Sequence, residues 1–220
     1  VIVHQPKGED EDITLARALT LAAVYPKVRV VRYPLRPHFI DTPEFKTDDE
    51  DDPQSFVHLS NWALSQCRYS WIARIEADVI ALSSLQLIVD RVNLWPDEKH
   101  IYGRILLNVA GPDRSLISKE NPRNGGWDEA VFPNDPDLVK FRKAEKWEFL
   151  KTDLPGVCVG LSGLHMKRCK AKYMNGWNGE HYTSLTLEAA IGLVSKGWPG
   201  IIDPAQEITT LWPEIEEVLR

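Results

Sequence analysis

Glu76-Ala77-Asp78 sets two carboxylates two residues apart, directly after the run Trp71-Ile72-Ala73-Arg74-Ile75. In an extended segment such residues project to the same side, so both acids face one divalent cation across the small Ala77. Their hard oxygens suit Mg²⁺ or Mn²⁺. A cation held by only one or two carboxylates keeps positions for diphosphate oxygens, where it offsets the charge building on a departing nucleoside diphosphate. The same triplet is also what a solvated turn looks like; what distinguishes this one is the strand before it and the capped helix after it. His165, just past the apolar run Val157 to Leu161, is a candidate third metal ligand or diphosphate contact, against the usual structural role of a lone histidine.

The elements that must position these residues follow from pattern. Val1 to Val3 reads as a short strand, the Gly8 to Asp12 segment as a capping turn, and Ile13 to Ala23 as a helix ended by Pro26. Lys27 to Val31 alternates as a strand does. From Pro34 to Pro53 the chain is polar and proline-punctuated, and Asp48-Asp49-Glu50-Asp51-Asp52 is too charged to pack, which predicts a loop. Asp52-Pro53 opens a helix with Phe56, Leu59, Ala63 and Cys67 along one face. Ser83 or Ser84 caps another, with Leu85, Ile88, Val89 and Val92 inward. Tyr102 to Val109 and Leu138 to Phe141 read as strands, and Thr183 to Lys196 as a helix stopped by Gly197 and Pro199. Alternating strands and helices predict an α/β domain with a mostly parallel sheet flanked by helices, whose ligands gather beyond the carboxyl ends of the strands.

Composition bounds the class. The chain has 220 residues, 43% of them hydrophobic, enough for one α/β domain. A net charge of −6 gives no basic field for nucleic acid. The chain carries no apolar run of membrane-spanning length and no signal-peptide layout, and Cys67, Cys158 and Cys169 form neither a CxxC pair nor a disulfide framework. This pattern predicts a soluble protein of a reducing cytoplasm. Val1 starts a strand without lead-in or initiating Met, which predicts a processed or trimmed chain.

Trp71 to Asp78 resembles the strand ending in a D-x-D signature in the GT-A glycosyltransferases, family 2 above all. The first acid there is usually Asp, and here it is Glu76, one methylene longer. Val1-Ile2-Val3-His4-Gln5 through Asp10 is similar to that family's second strand and the turn that holds base and ribose, with Gln5 where an Asp is expected. The family's first strand would precede Val1. Trp177-Asn178-Gly179-Glu180-His181 resembles the W-G-x-E-D motif that opens the acceptor-side helix of inverting members. Direct displacement at an anomeric carbon needs a group within hydrogen-bond reach of the acceptor hydroxyl to take its proton. The resemblance gives this role to Glu180, with His181 as alternative base or as a neighbour tuning it.

The resemblance thus implies a single GT-A (Rossmann-like) domain over 1–220, with a nucleotide-sugar half of about 1–100 and an acceptor half of about 101–220. It implies an inverting, hexosyltransferase-type enzyme that uses a UDP- or GDP-sugar, Mn²⁺ or Mg²⁺, and a glycan or lipid-linked acceptor. It further implies polysaccharide or lipopolysaccharide assembly at the cytoplasmic face of a membrane, with peripheral contact there. Gln5, Asp10 and Glu76 are the expected donor-binding residues, and Asp78, Glu76 and His165 the expected metal ligands. Trp177 offers a face for an acceptor sugar, and Lys167, Arg168, Lys170 and Lys172 a patch for diphosphate or an anionic acceptor. Core packing and a solvated helix face are the ordinary roles of such residues. Two alternatives stand beside this reading: a sugar-nucleotide nucleotidyltransferase, which should carry a Gly-rich phosphate loop near its N-terminus, and a degenerate domain that binds without turnover.

Overall fold

The computed structural model describes residues 1–4, 11–38, 42–76, 78–111, 113–119, 128–144, 148–169, 181–194 and 203–220. In chain order the elements are β1 (Ile2–His4), α1 (Glu11–Val24), β2 (Val30–Arg32), α2 (Pro43–Thr47), α3 (Phe56–Ser65), β3 (Trp71–Ala73), β4 (Val79–Ala81) and α4 (Leu85–Leu94). There follow β5 (Ile101–Ala110), β6 (Leu116–Ser118), β7 (Asp128–Pro133), β8 (Lys140–Lys143), β9 (Glu148–Lys151), β10 (Gly156–Arg168), β11 (Tyr182–Ser184), α5 (Leu187–Val194) and α6 (Pro204–Leu219). They form two compact units, one of residues 1–72 and 133–153, the other of 73–132 and 154–220.

In the first unit, β1 and β2 pair in parallel with Val3 opposite Val31, and α1 connects them as the strand, helix, strand pattern predicts. Ser55, rather than Asp52, caps α3: its hydroxyl accepts from Val57 N at 3.1 Å. The same helix anchors the β8–β9 hairpin through Asn61. Its Oδ1 accepts from Phe141 N at 2.8 Å and its Nδ2 donates to Phe141 O at 3.0 Å, so one amide pairs with both backbone groups of a strand residue.

The acidic stretch 48–52 is the expected loop, with neither helix nor strand, but its charges do pack. α2 lies just before it, capped by Thr42 and started by Pro43, with Phe45 fully buried. The Asp48 side chain is only 2% exposed, because Lys143 Nζ reaches its Oδ1 at 2.6 Å and His38 Nδ1 its Oδ2 at 3.3 Å. Arg142 pairs with Glu50 at 3.0 Å. The charges pack because β8, some 95 positions downstream of Asp48, supplies their partners.

The second unit corrects the predicted sheet. In its sheet the strands run β11-β6-β5-β10-β4, and β7 pairs with β5. The pairs β4–β10, β5–β6, β5–β7 and β6–β11 are antiparallel, whereas β5–β10 is parallel. A mostly parallel, Rossmann-like sheet is therefore ruled out. The alternation of strand and helix misled because strands that follow one another in the chain need not pair in parallel here: β4 comes after β3 yet pairs antiparallel with β10, and β5 pairs antiparallel with β6, the next strand.

One face of this sheet is the core. Ile105, Leu107 and Val109 alternate along β5 and meet Leu161 and Leu164 of β10. Ala190, Leu193 and Val194 of α5 and Ile208, Leu211 and Ile215 of α6 cover them. Each leucine, isoleucine or valine among them contributes on the order of 2 kcal/mol by leaving water. β10 bulges between Cys158 and Leu161, where Gly160 takes φ +100°. A Cβ at Gly160 would lie 2.5 Å from Glu207 Oε1, so the missing side chain makes room for that carboxyl. Leu161 N donates to Glu207 Oε2 at 3.2 Å, and burial raises the Glu207 pKa to about 7. No helix among the described residues is long and apolar enough to cross a membrane.

Candidate metal centre

β3 ends at Ala73, and the backbone of Arg74 stays on the sheet by donating to Ala130 O at 2.8 Å. The chain then turns. Val79 N closes back on Glu76 O at 3.0 Å, so Glu76 and Asp78 lie in a turn rather than on one side of a continuing strand. β4 leaves this turn antiparallel to β10, with Val79 opposite His165 and Met166 N donating to Asp78 O at 2.7 Å. Across the other edge of β10, His165 stands opposite Asn108 of β5. Three strands therefore bring Val79, His165 and Asn108 into one row.

The close approach of β4 and β10 depends on Gly163. A Cβ there would lie 2.8 Å from Leu106 Cδ2 and 3.0 Å from Ile80 O. Any larger residue would press against the backbone that carries Asp78.

Glu76, Asp78 and His165 each turn one ligand atom into a common space, with these atoms all within 4.8 Å of one another. His165 Nε2 lies 3.6 Å from Asp78 Oδ1. That is longer than a good hydrogen bond, and comparable to the roughly 3 to 4 Å between donors on one octahedral ion with bonds near 2.1 Å. The side chains of Asp78 and His165 are 20% and 18% exposed, and His165 Nε2 itself is buried. Glu76 is more open, at 46%, and its Oε1 also accepts from Arg74 Nη2 at 3.2 Å. Asp78 is the more rigid acid, and Glu76 the longer and more adaptable one.

Asn108 gives the histidine its orientation. Its Oδ1 is 2.9 Å from His165 Nδ1. With the amide oxygen facing the ring, Nδ1 carries the proton and Nε2 presents its lone pair toward Asp78. A metal-binding imidazole is commonly held by such an acceptor on its other nitrogen. Sequence reasoning missed this residue. The available signal was an amide inside an apolar strand: Asn108 is the one position of Ile101–Ala110 that is not buried.

Two carboxylate oxygens with one imidazole nitrogen form a mixed donor set, which fits Mn²⁺ better than Mg²⁺.

The other expected residues lie elsewhere. His181 is exposed in the turn before β11, where its carbonyl accepts from Lys119 N at 2.9 Å; it is not among the three clustered donors. Gln5, Asp10, Lys170, Lys172, Trp177 and Glu180 fall outside the described residues, and so do the side chains of Lys167 and Arg168. No protein-family model and no curated protein matches the chain.

Proposed function

We propose that the chain is a glycosyltransferase that moves a sugar from a nucleoside-diphosphate donor to a glycan or lipid-linked acceptor, with Mn²⁺ held by Asp78, His165 and Glu76. The observation that carries this reading is the convergence of three ligand atoms from two chain segments, 76–78 and 165, with Asn108 fixing the imidazole. The bound ion would neutralise charge on the diphosphate oxygens as the donor's sugar bond breaks. Asp78 and His165 hold their side of the site fixed through the β4–β10 ladder. Glu76, released from Arg74, completes it. Glu180 takes the proton of the acceptor hydroxyl in an inverting displacement, with His181 as the alternative base.

Titration calorimetry of Mn²⁺ and of UDP- and GDP-sugars tests the reading. Donor binding should require Mn²⁺, and Asp78→Asn should remove both; Glu180→Gln should leave donor binding intact and stop transfer. Donor binding that is unchanged in Asp78→Asn would overturn the metal assignment.

The Arg74–Glu76 ion pair favours a second reading, because it already occupies one carboxylate: a domain that binds a nucleotide sugar without turnover. Mn²⁺-dependent hydrolysis of the donor separates the two, since only an enzyme would show it.

A further inference from the structure

A cleft of about 320 Å³ lies between the turn after β5 and the last turns of α6. Leu185, Trp212, Ile215 and Leu219 give it apolar walls, and Arg114 and Arg220 also line it. Among the described residues neither guanidinium makes a hydrogen bond or ion pair. The nearby carboxylates are already engaged by neutral donors. Glu216 Oε1 accepts from the Trp212 indole at 2.9 Å, and Asp113 Oδ1 accepts from Ser115 N at 3.2 Å and Ser115 Oγ at 2.7 Å.

Arg220 at the end of α6 has an ordinary reason to be there, because the partial negative charge of a helix C-terminus favours a cation. Arg114 has none. It is the one non-glycine residue with positive φ among those described, at +60°. Glycine or asparagine would take that conformation with less strain, so a side chain kept there points to a use for it. The turn is also tied down on both sides: Arg114 N donates to Gly111 O at 3.1 Å, and Leu185 N to Ser115 O at 2.8 Å. The guanidinium thus projects from a fixed backbone.

We propose that this cleft binds a small oxyanion on an apolar body, a phosphate monoester or a carboxylate. Its charge lies between Arg114 and Arg220, and its body lies against Trp212 and Leu185. Guanidinium forks match the paired oxygens of such groups, and an indole beside them suits an aromatic or alkyl body. This site is separate from Glu76, Asp78 and His165 and stands without them.

The test follows the Trp212 indole N–H by nuclear magnetic resonance in the full chain, titrated with phenyl phosphate, phenylacetate, phenol and inorganic phosphate. A saturable shift is expected with at least one of the two aromatic anions, at least ten-fold tighter than with phenol or inorganic phosphate. Arg114→Gly and Arg114→Asn should both weaken it at least ten-fold without lowering the melting temperature, since both residues accept positive φ. Co-sedimentation with phosphatidylcholine vesicles, with and without phosphatidic acid, separates a lipid headgroup from a soluble ligand. An Arg114-dependent response in either arm supports the site. Equal binding of phenol and the aromatic anions, or Arg114 variants that bind as the wild type does, would overturn it.

Discussion

His165 and Asn108 face one another across the parallel β5–β10 pairing, and the amide oxygen of Asn108 stands 2.9 Å from His165 Nδ1. That contact fixes which nitrogen faces Asp78. Asn108→Leu should lower Mn²⁺ affinity by about 10 to 100-fold, the usual cost of losing such a partner. Asn108→Asp keeps the acceptor and should keep most of the affinity. Calorimetric titration of the three proteins measures this; equal affinity in all three would show that the imidazole is oriented by something else.

The two acids of the turn differ in how firmly they are held, so their loss should not be equivalent. Asp78→Asn should cost at least ten-fold in Mn²⁺ affinity, because its backbone is locked by Met166 and its side chain is mostly enclosed. Glu76→Gln should cost less, because Glu76 is more exposed and must leave Arg74 to bind. A larger loss at Glu76 than at Asp78 would contradict this ordering.

Glu207 makes the stability of the second unit depend on pH. Its folded pKa, about 7, is raised above the ordinary 4.5, so the folded chain holds a proton that the unfolded chain releases earlier. The raised pKa therefore favours folding most at low pH. That contribution falls away between about pH 4.5 and 7 and is flat above. Glu207 lines a cleft with Ser83, Ser84 and Thr210, and with screening there the total change should be on the order of 2 kcal/mol, below the full linkage value. Glu207→Gln retains an acceptor for Leu161 N and should flatten this dependence, raising stability at pH 8 relative to wild type. Urea denaturation at pH 5 and pH 8 reads both effects.

Asn61 joins α3 to β8 in the first unit through two hydrogen bonds to Phe141. Asn61→Ala leaves both backbone groups of a strand residue without their partner. It should cost about 2 to 3 kcal/mol, while Asn61→Asp, which keeps the acceptor, should cost less. The midpoint of denaturant unfolding checks the order.

Local features were legible in the sequence where one segment decides them. The β1–α1–β2 pattern, the strand at β5 and the helix at α3 follow from periodicity alone. Sheet order does not, since a three-residue strand such as β4 gives no sign of which neighbour it will join. α6 went unread because Pro213 interrupts its pattern, although Asp203 and Pro204 mark its start. The burial of Asp48 depends on Lys143, far along the chain, and no local charge count could find it. At the candidate site, the types Glu76, Asp78 and His165 were readable, but the turn that gathers the two acids and the amide that aims the imidazole exist only once β4, β10 and β5 are aligned.

That alignment joins chain segments almost ninety residues apart, so an unfolded chain would hold no comparable set of donors. An ion bound there acts as a rivet: it binds the folded form alone and shifts the folding equilibrium in proportion to its concentration. The reinforcement would fall on one compact unit, since Glu76, Asp78 and His165 all belong to residues 73–132 and 154–220. Heating with and without the ion would then read that reinforcement as a rise in melting temperature.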